Sequence, residues 1–99
     1  MKVFLDDERI TPEGWVRVYS VAECIEALKT RQVKYLSLDN DLGSEDPKTE
    51  GFNVLNWLEE TIYEDTSFPI PEMTVHSSNA ARALSMRMII KKLEQIRNK

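Results

Sequence analysis

The sequence predicts an α/β fold with three layers, built around a four-stranded parallel sheet. Short apolar runs alternate with stretches of helical periodicity in the order β, loop, β, α, β, α, β, α. Such alternation favours parallel strands joined by right-handed crossovers, and the simplest strand order is then 2-1-3-4. The 99 residues, of which 41% are hydrophobic, are enough for one domain spanning residues 1–99.

Two strands separated by a loop are predicted at the start of the chain. Residues 2–6 contain three consecutive apolar residues, which is typical of a strand buried on both faces. Residues 8–15 contain Pro12 and Gly14, so we expect a loop or at most one helical turn. Residues 16–19 form the second predicted strand.

A helix and a third strand follow. Ser20 and Glu23 have the spacing of a capping box, in which the Glu23 side chain reaches back to the Ser20 amide. The apolar residues after Ser20 recur at helical spacing and include the single cysteine (Val21, Cys24, Ile25, Leu28). We therefore interpret Cys24 as a small core residue, and we place the third strand at residues 34–38.

The second half of the chain repeats this alternation. A polar loop over residues 39–50 leads into a helix over residues 51–64, whose apolar positions again have helical spacing. The fourth strand is predicted at residues 73–76. A last helix begins near Asn79 and has a basic C-terminal end, which complements the helix dipole.

The composition limits the partners and the compartment. A net charge of −4 provides no broad basic face for duplex DNA. We find neither a signal-peptide pattern nor an apolar stretch close to the about 20 residues of a membrane span, so we expect a cytoplasmic protein without membrane contact. One cysteine allows no internal disulfide, which fits a reducing compartment. A four-stranded sheet can also leave an edge exposed, which a homodimer would cover.

Three of the predicted strands are followed directly by polar clusters. The first strand ends at Asp6 and Asp7, the third at Asp39 and Asp41, and the fourth at the only histidine, His76. The carboxyl ends of parallel strands share one edge of the sheet, where such sheets bind ligands. Strands 1 and 3 are neighbours in the predicted order, so their acidic residues lie about 5 Å apart across the sheet. This arrangement indicates Mg²⁺ and phosphate chemistry.

The aspartates suggest a site for a hard divalent cation. Asp6, Asp7 and Asp39 are candidate ligands of Mg²⁺ or Mn²⁺, with a backbone carbonyl near Asp41 completing the shell. Crowded carboxylates without a cation would raise at least one pKa by mutual repulsion. The alternative is structural: Asp6 or Asp7 caps a helical turn, and Asp41 belongs to an ordinary loop.

The polar residues after the fourth strand suggest an anion site. Hydroxyl groups and free backbone amides at a helix N-terminus bind phosphate, and the candidate residues are Ser77, Ser78, Asn79 and Arg82. Ser78 or Asn79 would also be chosen simply to cap the helix. Arg9 can either neutralise the acidic pair or reach a phosphate. His76 can serve as a general acid or hold a phosphate oxygen, although a lone histidine is also compatible with a structural role.

These motifs resemble the receiver domains of two-component signalling, which have a flavodoxin-like fold. Leu5-Asp6-Asp7-Glu8 resembles the acidic pair that holds Mg²⁺, Leu38-Asp39 the strand end with the phosphoryl-accepting aspartate, and Gly51-Phe52-Asn53-Val54-Leu55 the start of the following helix. Ser77 or Ser78 falls where receivers place a hydroxyl. Three features depart from receivers: the fifth strand and its lysine are lacking, the loop after Asp39 is enlarged with Asp41 added, and a histidine enters the fourth motif.

The family of cyclic-phosphate-processing receiver-like domains is a closer resemblance, and three motifs carry it: Leu5-Asp6-Asp7-Glu8-Arg9, Ser37-Leu38-Asp39-Asn40-Asp41-Leu42-Gly43 and Val75-His76-Ser77-Ser78-Asn79. The resemblance implies a metal-dependent phosphoesterase acting on a cyclic nucleotide or on an RNA end that carries a 2′,3′-cyclic phosphate. In this hypothesis Asp39 or Asp41 activates water, or Asp39 attacks directly, and His76 protonates the leaving oxygen. Two alternatives stay open: a switch phosphorylated on Asp39, and a module that binds a nucleotide or a partner protein without reaction.

Overall fold

The computed structural model describes residues 1–43, 46 and 49–98, and these residues form four strands and three helices. In chain order the elements are β1 (Lys2–Leu5), β2 (Val16–Val18), α1 (Val21–Lys29), β3 (Tyr35–Leu38), α2 (Phe52–Glu64), β4 (Glu72–Val75) and α3 (Ala80–Arg97). All neighbouring strands are parallel, in the order β2-β1-β3-β4. The predicted α/β fold and strand order are therefore confirmed. Ser44, Glu45, Pro47 and Lys48 of the predicted polar loop, and Lys99, lie outside the described residues.

The element boundaries agree with the prediction to within one residue or so, and the differences place two polar residues just past their strands. β1 ends at Leu5 and β4 at Val75, so Asp6 and His76 follow the strands directly. Ser20 caps α1 as predicted, because its Oγ accepts a hydrogen bond from the Glu23 amide at 3.2 Å. The Glu23 carboxylate accepts a hydrogen bond from the Ser20 hydroxyl at 3.4 Å, whereas the prediction had it reach the Ser20 amide.

All three helices pack on one face of the sheet. The strand residues directed to this face are apolar and buried, and they form one core with the inward positions of the helices (Val3, Leu5, Leu36, Leu38, Met73, Cys24, Leu28, Leu55, Leu58, Met86, Ile90, Leu93). The crossovers through α1 and α2 run across the sheet in the same direction, so right-handed connections place both helices on the same side. Cys24 is fully buried, as predicted.

The connection between β1 and β2 forms the third layer. It crosses the sheet in the opposite direction, so a right-handed path takes it over the other face. Its residues 6–15 contain no helix, in agreement with the loop predicted from Pro12 and Gly14. The third layer of the fold is thus a loop, and no helix of the described part of the chain covers this side of the sheet.

We call this side of the sheet the open face, and its strand residues are Lys2, Phe4, Arg17, Tyr35, Ser37, Glu72 and Thr74. These residues alternate along their strands with those directed at the helices, and the strand registers place Phe4, Ser37 and Thr74 in one row. The open face extends to the carboxyl edge of the sheet. None of the described helices has the length and apolar character needed to cross a bilayer.

Candidate functional site

Three ionisable side chains converge at the carboxyl edge of the sheet. One ligand atom each from Asp6, Asp39 and His76 lies within 4.8 Å of the others. Each residue is fixed by its backbone amide, which donates to the neighbouring strand: Asp6 to the Val18 carbonyl at 3.2 Å, Asp39 to Leu5 at 3.0 Å and His76 to Leu38 at 3.0 Å. The sheet itself therefore sets the spacing of the cluster, as the sequence predicted for strand ends that share one edge.

The imidazole of His76 lies across the open face. Its Nδ1 is 2.7 Å from Ser37 Oγ, and its Nε2 is 3.0 Å from Asp6 Oδ2. The ring stacks on Phe4 with a centroid distance of 4.3 Å and an interplanar angle of 3°. An ionised carboxylate can only accept a hydrogen bond, so the proton between Asp6 and His76 is carried by Nε2. Thr74 Oγ1 donates to Ser37 Oγ at 3.3 Å, which extends the hydrogen-bonded row away from the cluster.

Asp6 is held as a carboxylate despite being only 1% exposed. Burial alone would raise the pKa of its carboxyl group, but hydrogen bonds from the backbone amides of Arg9 and Glu8, together with His76, lower the pKa below its ordinary value. The two amides bond to Oδ1 at 2.9 and 2.8 Å, respectively. Arg9 Nε lies 3.6 Å from Oδ2. The chain turns after Asp6 because the backbone amides of Glu8 and Arg9 donate to its side chain and therefore do not continue the pairing of the strand.

Asp39 has the opposite electrostatic environment. Burial raises the pKa of its carboxyl group, the nearby Asp6 carboxylate raises it further, and the hydrogen bond from the Asn40 amide, with smaller attraction from His76 and Arg9, offsets this only in part. The Asn40 amide donates to Asp39 Oδ1 at 2.8 Å. Two neighbouring carboxyl groups of this cluster thus have pKa values shifted in opposite directions, which is typical of functional sites.

Asn40 and Gly51 fix the backbone that carries Asp39. Asn40 is fully buried, its side-chain oxygen accepts from the Phe52 amide at 3.1 Å, and its carbonyl accepts from the Gly51 amide at 2.8 Å. A Cβ atom on Gly51 would lie 1.8 Å from the Asp39 carbonyl oxygen. Only glycine leaves room for this close approach of the two backbone segments, so the start of α2 packs directly against the end of β3.

The two remaining predicted aspartates lie beside the cluster. Asp7 is partly buried, and its carboxylate packs against Gly43, where an added Cβ would lie 2.7 Å from Asp7 Oδ2 and the backbone has a φ of +79°. Asp41 is exposed, and its Oδ1 accepts a hydrogen bond from the Asn40 side chain at 3.4 Å. The described acidic and histidine ligands within 4.8 Å of one another are Asp6, Asp39 and His76, so neither Asp7 nor Asp41 joins them in this conformation.

Four of the predicted anion-binding residues stand at the start of α3, and three of them have contacts within the protein: Ser77, Asn79 and Arg82. Asn79 caps the helix, because its Oδ1 accepts from the Arg82 amide at 3.1 Å, and Ser77 Oγ accepts from the Asn79 amide at 3.1 Å. The Arg82 side chain pairs with Glu50 at 3.3 Å and lies 5.4 Å above the Phe52 ring. Ser78 is exposed.

Sequence reasoning missed the residues that hold His76 and the backbone of Asp6. Ser37 and Phe4 were counted only as strand residues, and Thr74 was given no role. A signal existed for Ser37, because residues two apart on a strand lie on the same face of the sheet, and Ser37 is two residues before Asp39. In the structure this hydroxyl is buried. Arg17 was also missed, and its Nε donates to the Asp6 carbonyl at 3.2 Å while its guanidinium lies 4.9 Å from the centre of the Tyr19 ring.

The donor set fits a hard divalent cation. Asp6 and Asp39 offer two buried carboxylates whose mutual repulsion contributes to the raised pKa of Asp39. A cation between them would relieve that repulsion, and carboxylate oxygens are the ligands that Mg²⁺ and Mn²⁺ prefer. His76 Nε2 is directed at Asp6, so the imidazole can act beside such a cation without being its ligand.

One of three comparisons with known proteins found a match. The family model described as cyclic-phosphate processing receiver domain matches residues 1–92. No curated protein and no solved structure gave a match. The family match covers nearly the whole chain, including all three polar clusters and all three helices up to the last turns of α3. The chain therefore belongs to the family of cyclic-phosphate processing receiver domains.

Proposed function

We propose that this domain is a metal-dependent phosphoesterase that opens a cyclic phosphate, either in a cyclic nucleotide or at the 2′,3′-cyclic end of an RNA. The observation that carries the proposal is the cluster of Asp6, Asp39 and His76. In it, the carboxyl group of Asp39, whose pKa is raised, and the imidazole of His76 have ligand atoms within 4.8 Å of each other. A base and an acid at this separation can act on the two sides of one phosphorus atom. The family to which the chain belongs is described as cyclic-phosphate processing, which supports the choice of substrate.

Asp6 and Asp39 would hold the Mg²⁺ or Mn²⁺ ion, and Asp7 would be a third ligand if its side chain moved from Gly43 toward them. When bound, the ion would supply positive charge against the phosphoryl oxygens as negative charge builds there.

The hydrolysis needs one proton to be accepted and one to be donated. Water attacks phosphorus, the Asp39 carboxylate accepts a proton from that water, and the bond from phosphorus to one ribose oxygen breaks. His76 gives a proton to the departing oxygen, so one water is consumed and a phosphomonoester with a free hydroxyl is formed. Asp39 is a better candidate for the base than Asp41, because Asp41 is exposed and lies outside the cluster. In a second route, the Asp39 carboxylate attacks phosphorus directly, the bond from phosphorus to the ribose oxygen breaks as His76 protonates that oxygen, and water then hydrolyses the bond to Asp39 to give the same product.

The environment of His76 suits a proton donor. Ser37 can donate to an unprotonated Nδ1 or accept from a protonated one, because a hydroxyl does both. The stack on Phe4 holds the ring plane, so loss or gain of a proton does not require the side chain to move. Nε2 is the nitrogen that faces the cluster, and we assign the proton transfer to it.

The phosphate oxygens would be bound between the acidic cluster and the start of α3. Ser78 is exposed and Arg9 is half-exposed, so both can turn to an incoming phosphate. Ser77 and Asn79 shape the helix start, where the positive end of the helix dipole favours an anion. Arg82 would have to leave Glu50 to take part.

Two substitutions test this assignment, with 2′,3′-cyclic AMP and Mg²⁺ as the probe and chromatography of the products as the assay. Asp39→Asn and His76→Ala should each reduce the turnover rate by about 100-fold or more, the usual effect of removing a positioned base or acid. Asp65→Asn, which removes an aspartate at the opposite end of α2, is the control and should retain turnover. Circular dichroism verifies that each variant is folded. Turnover close to that of the wild type in either cluster variant contradicts the mechanism.

A further inference from the structure

The outer edge of β4 presents backbone groups that can pair with another strand. β4 stands last in the order β2-β1-β3-β4, and no strand of the described part of the chain pairs with its outer side. The amides of Glu72 and His76 donate to carbonyls of the β3 segment, at 2.8 and 3.0 Å, respectively. Because successive peptide groups of a strand alternate in direction, the amides and carbonyls of Met73 and Val75 face outward.

The opposite edge of the sheet is less suited to strand pairing. β2 covers only Val16–Val18, and the Val18 carbonyl accepts from the Asp6 amide. By the same alternation, Arg17 is the only residue of β2 whose peptide groups face away from β1. β4 has two outward residues, so β4 is the edge at which a second strand can form a ladder.

α3 extends the surface beside this edge. A groove of about 550 Å³ lies between β4 and α3, and its lining includes Arg87, Lys91 and Glu94. Leu84 and Met88 are 62% and 67% exposed, and with Arg87 and Lys91 they have the spacing of one helix face. Two large exposed apolar side chains next to an open strand edge indicate a surface for protein contact.

The charges along the groove are complementary to themselves. Arg87 donates to the carbonyl of the last residue of β4, and Arg97 to that of the residue before β4, each at 3.4 Å. α3 therefore runs antiparallel to β4, with Arg87 near the carboxyl end of the strand and Glu94 nearer its amino end. Glu94 forms no ion pair within the described residues. A two-fold axis across the middle of the groove brings Arg87 of one copy against Glu94 of the other.

We propose that β4 pairs with β4 of a second copy of this chain, antiparallel about a two-fold axis. Pro71 has no amide, so the register that uses the outward residues of both copies is centred on Thr74. Met73 of each copy then lies opposite Val75 of the other, and each of these pairs exchanges two hydrogen bonds. Such a contact uses the same surface on both copies, so the assembly closes as a dimer.

The contact of Arg87 with the Val75 carbonyl is compatible with this pairing. At 3.4 Å it is a long hydrogen bond from an exposed side chain, so little stability is lost when it opens. In the dimer the Val75 carbonyl accepts from the Met73 amide of the second copy, and the Arg87 guanidinium turns to Glu94 of that copy. The charge match therefore favours a second copy of this chain as the occupant of the edge.

Sedimentation velocity over a range of protein concentrations measures the association. We expect the wild type to change from monomer to dimer as its concentration rises. Glu94→Arg places like charges together at both symmetric contacts, so it should raise the Kd of the dimer by about 10-fold or more. Arg87→Glu should have the same effect. The double variant Arg87→Glu/Glu94→Arg should restore the wild-type Kd, because opposite charges again face each other. Glu60→Arg, the same change on an exposed residue of α2, is the control and should leave the Kd unchanged.

Hydrogen exchange followed by NMR locates the interface. The amides of Met73 and Val75 should exchange more slowly in the wild type than in Glu94→Arg, because they donate to the second copy only in the dimer. The Thr74 amide is directed at β3 and should be protected in both proteins, which also verifies that the variant is folded.

Three results would overturn the proposal. The wild type stays a monomer at the concentration used for NMR, which would leave the edge to an extended segment of another protein. The double variant associates no more tightly than the single variants. The Met73 and Val75 amides exchange equally fast in the wild type and in Glu94→Arg, which would place the contact elsewhere. None of these measurements depends on hydrolysis of a cyclic phosphate.

Discussion

Replacing Asp39 by asparagine should stabilise the folded protein at neutral pH in the absence of metal. The pKa of Asp39 is raised by burial and by Asp6, so the folded state binds a proton at this carboxyl group more tightly than the unfolded state does. Its contribution to stability is therefore present below the unfolded pKa of about 3.9 and is lost as the pH rises through the raised folded pKa. At pH 7 the ionised Asp39 carboxylate destabilises the folded protein, and a neutral amide of the same shape removes this destabilisation.

The size of the effect follows from the spacing of the cluster. Two carboxylate oxygens no more than 4.8 Å apart repel each other. With an effective dielectric constant of about 20, that repulsion is about 3.5 kcal/mol. Arg9 and His76 attract Asp39 and reduce the cost, and the hydrogen bond from the Asn40 amide becomes weaker by about 1 kcal/mol when its acceptor is neutral. We expect Asp39→Asn to raise the free energy of unfolding by about 1 to 2 kcal/mol, or about 4 to 8 °C in Tm for each kcal/mol.

Urea denaturation at pH 7 in EDTA, followed by tryptophan fluorescence, measures this change. Asp6→Asn is the matched control, because the same chemical substitution should there be destabilising: the pKa of Asp6 is lowered, and its carboxylate stabilises the fold above the unfolded pKa. Mg²⁺ at about 100 times its Kd should stabilise the wild type by about 2.7 kcal/mol and Asp39→Asn by less. An Asp39→Asn variant that is no more stable than the wild type in EDTA would refute the reasoning.

Three further predictions concern the surroundings of the site and the fold. Gly51→Ala should lose at least about 3 kcal/mol of stability in urea denaturation, because its Cβ would collide with the Asp39 carbonyl; wild-type stability contradicts this. Burial raises the pKa of the Cys24 thiol to about 12, so a thiol reagent at pH 8 should modify it only after urea unfolding, and fast modification of the native protein contradicts this. Hydrogen bonds from Ser67, and then from Arg31, lower the pKa of Asp65 to about 2, so its carboxylate stabilises the folded protein above the unfolded pKa of about 3.9. Asp65→Asn should therefore reduce the loss of stability between about pH 4 and pH 2. A free energy of unfolding that falls as steeply with pH as in the wild type contradicts this.

The sheet and the convergence of Asp6, Asp39 and His76 could be predicted because both depend on local pattern and on a topological rule. Apolar runs and helical spacing gave the elements, and right-handed crossovers gave the strand order. Parallel strands then bring their carboxyl ends to one edge, whatever the loops do. In the structure, β1 and β4 each end one residue before the predicted position, and the polar residues still follow at the same edge of the sheet.

The direction of individual side chains could not be predicted in the same way. His76 turns back over Ser37 onto Phe4, and this requires the loop over residues 6–15 to leave that part of the open face free. Arg82 pairs with Glu50 because α2 and α3 pack side by side, a contact between residues far apart in sequence. Period-2 alternation placed Ser37 on the same face as Asp39, so its role was accessible from the sequence, whereas that of Arg17 depended on the register between β1 and β2.

The most direct test of the account is a ³¹P NMR time course of the purified protein, with Mg²⁺ and then with EDTA. The substrates are 2′,3′-cyclic AMP, 3′,5′-cyclic AMP and an oligonucleotide ending in a cyclic phosphate. We expect the cyclic-phosphate resonance of at least one substrate to be replaced by that of a phosphomonoester with Mg²⁺ present, and EDTA to stop the change. Spectra that stay unchanged under every condition would contradict the account and leave this domain as a binding module.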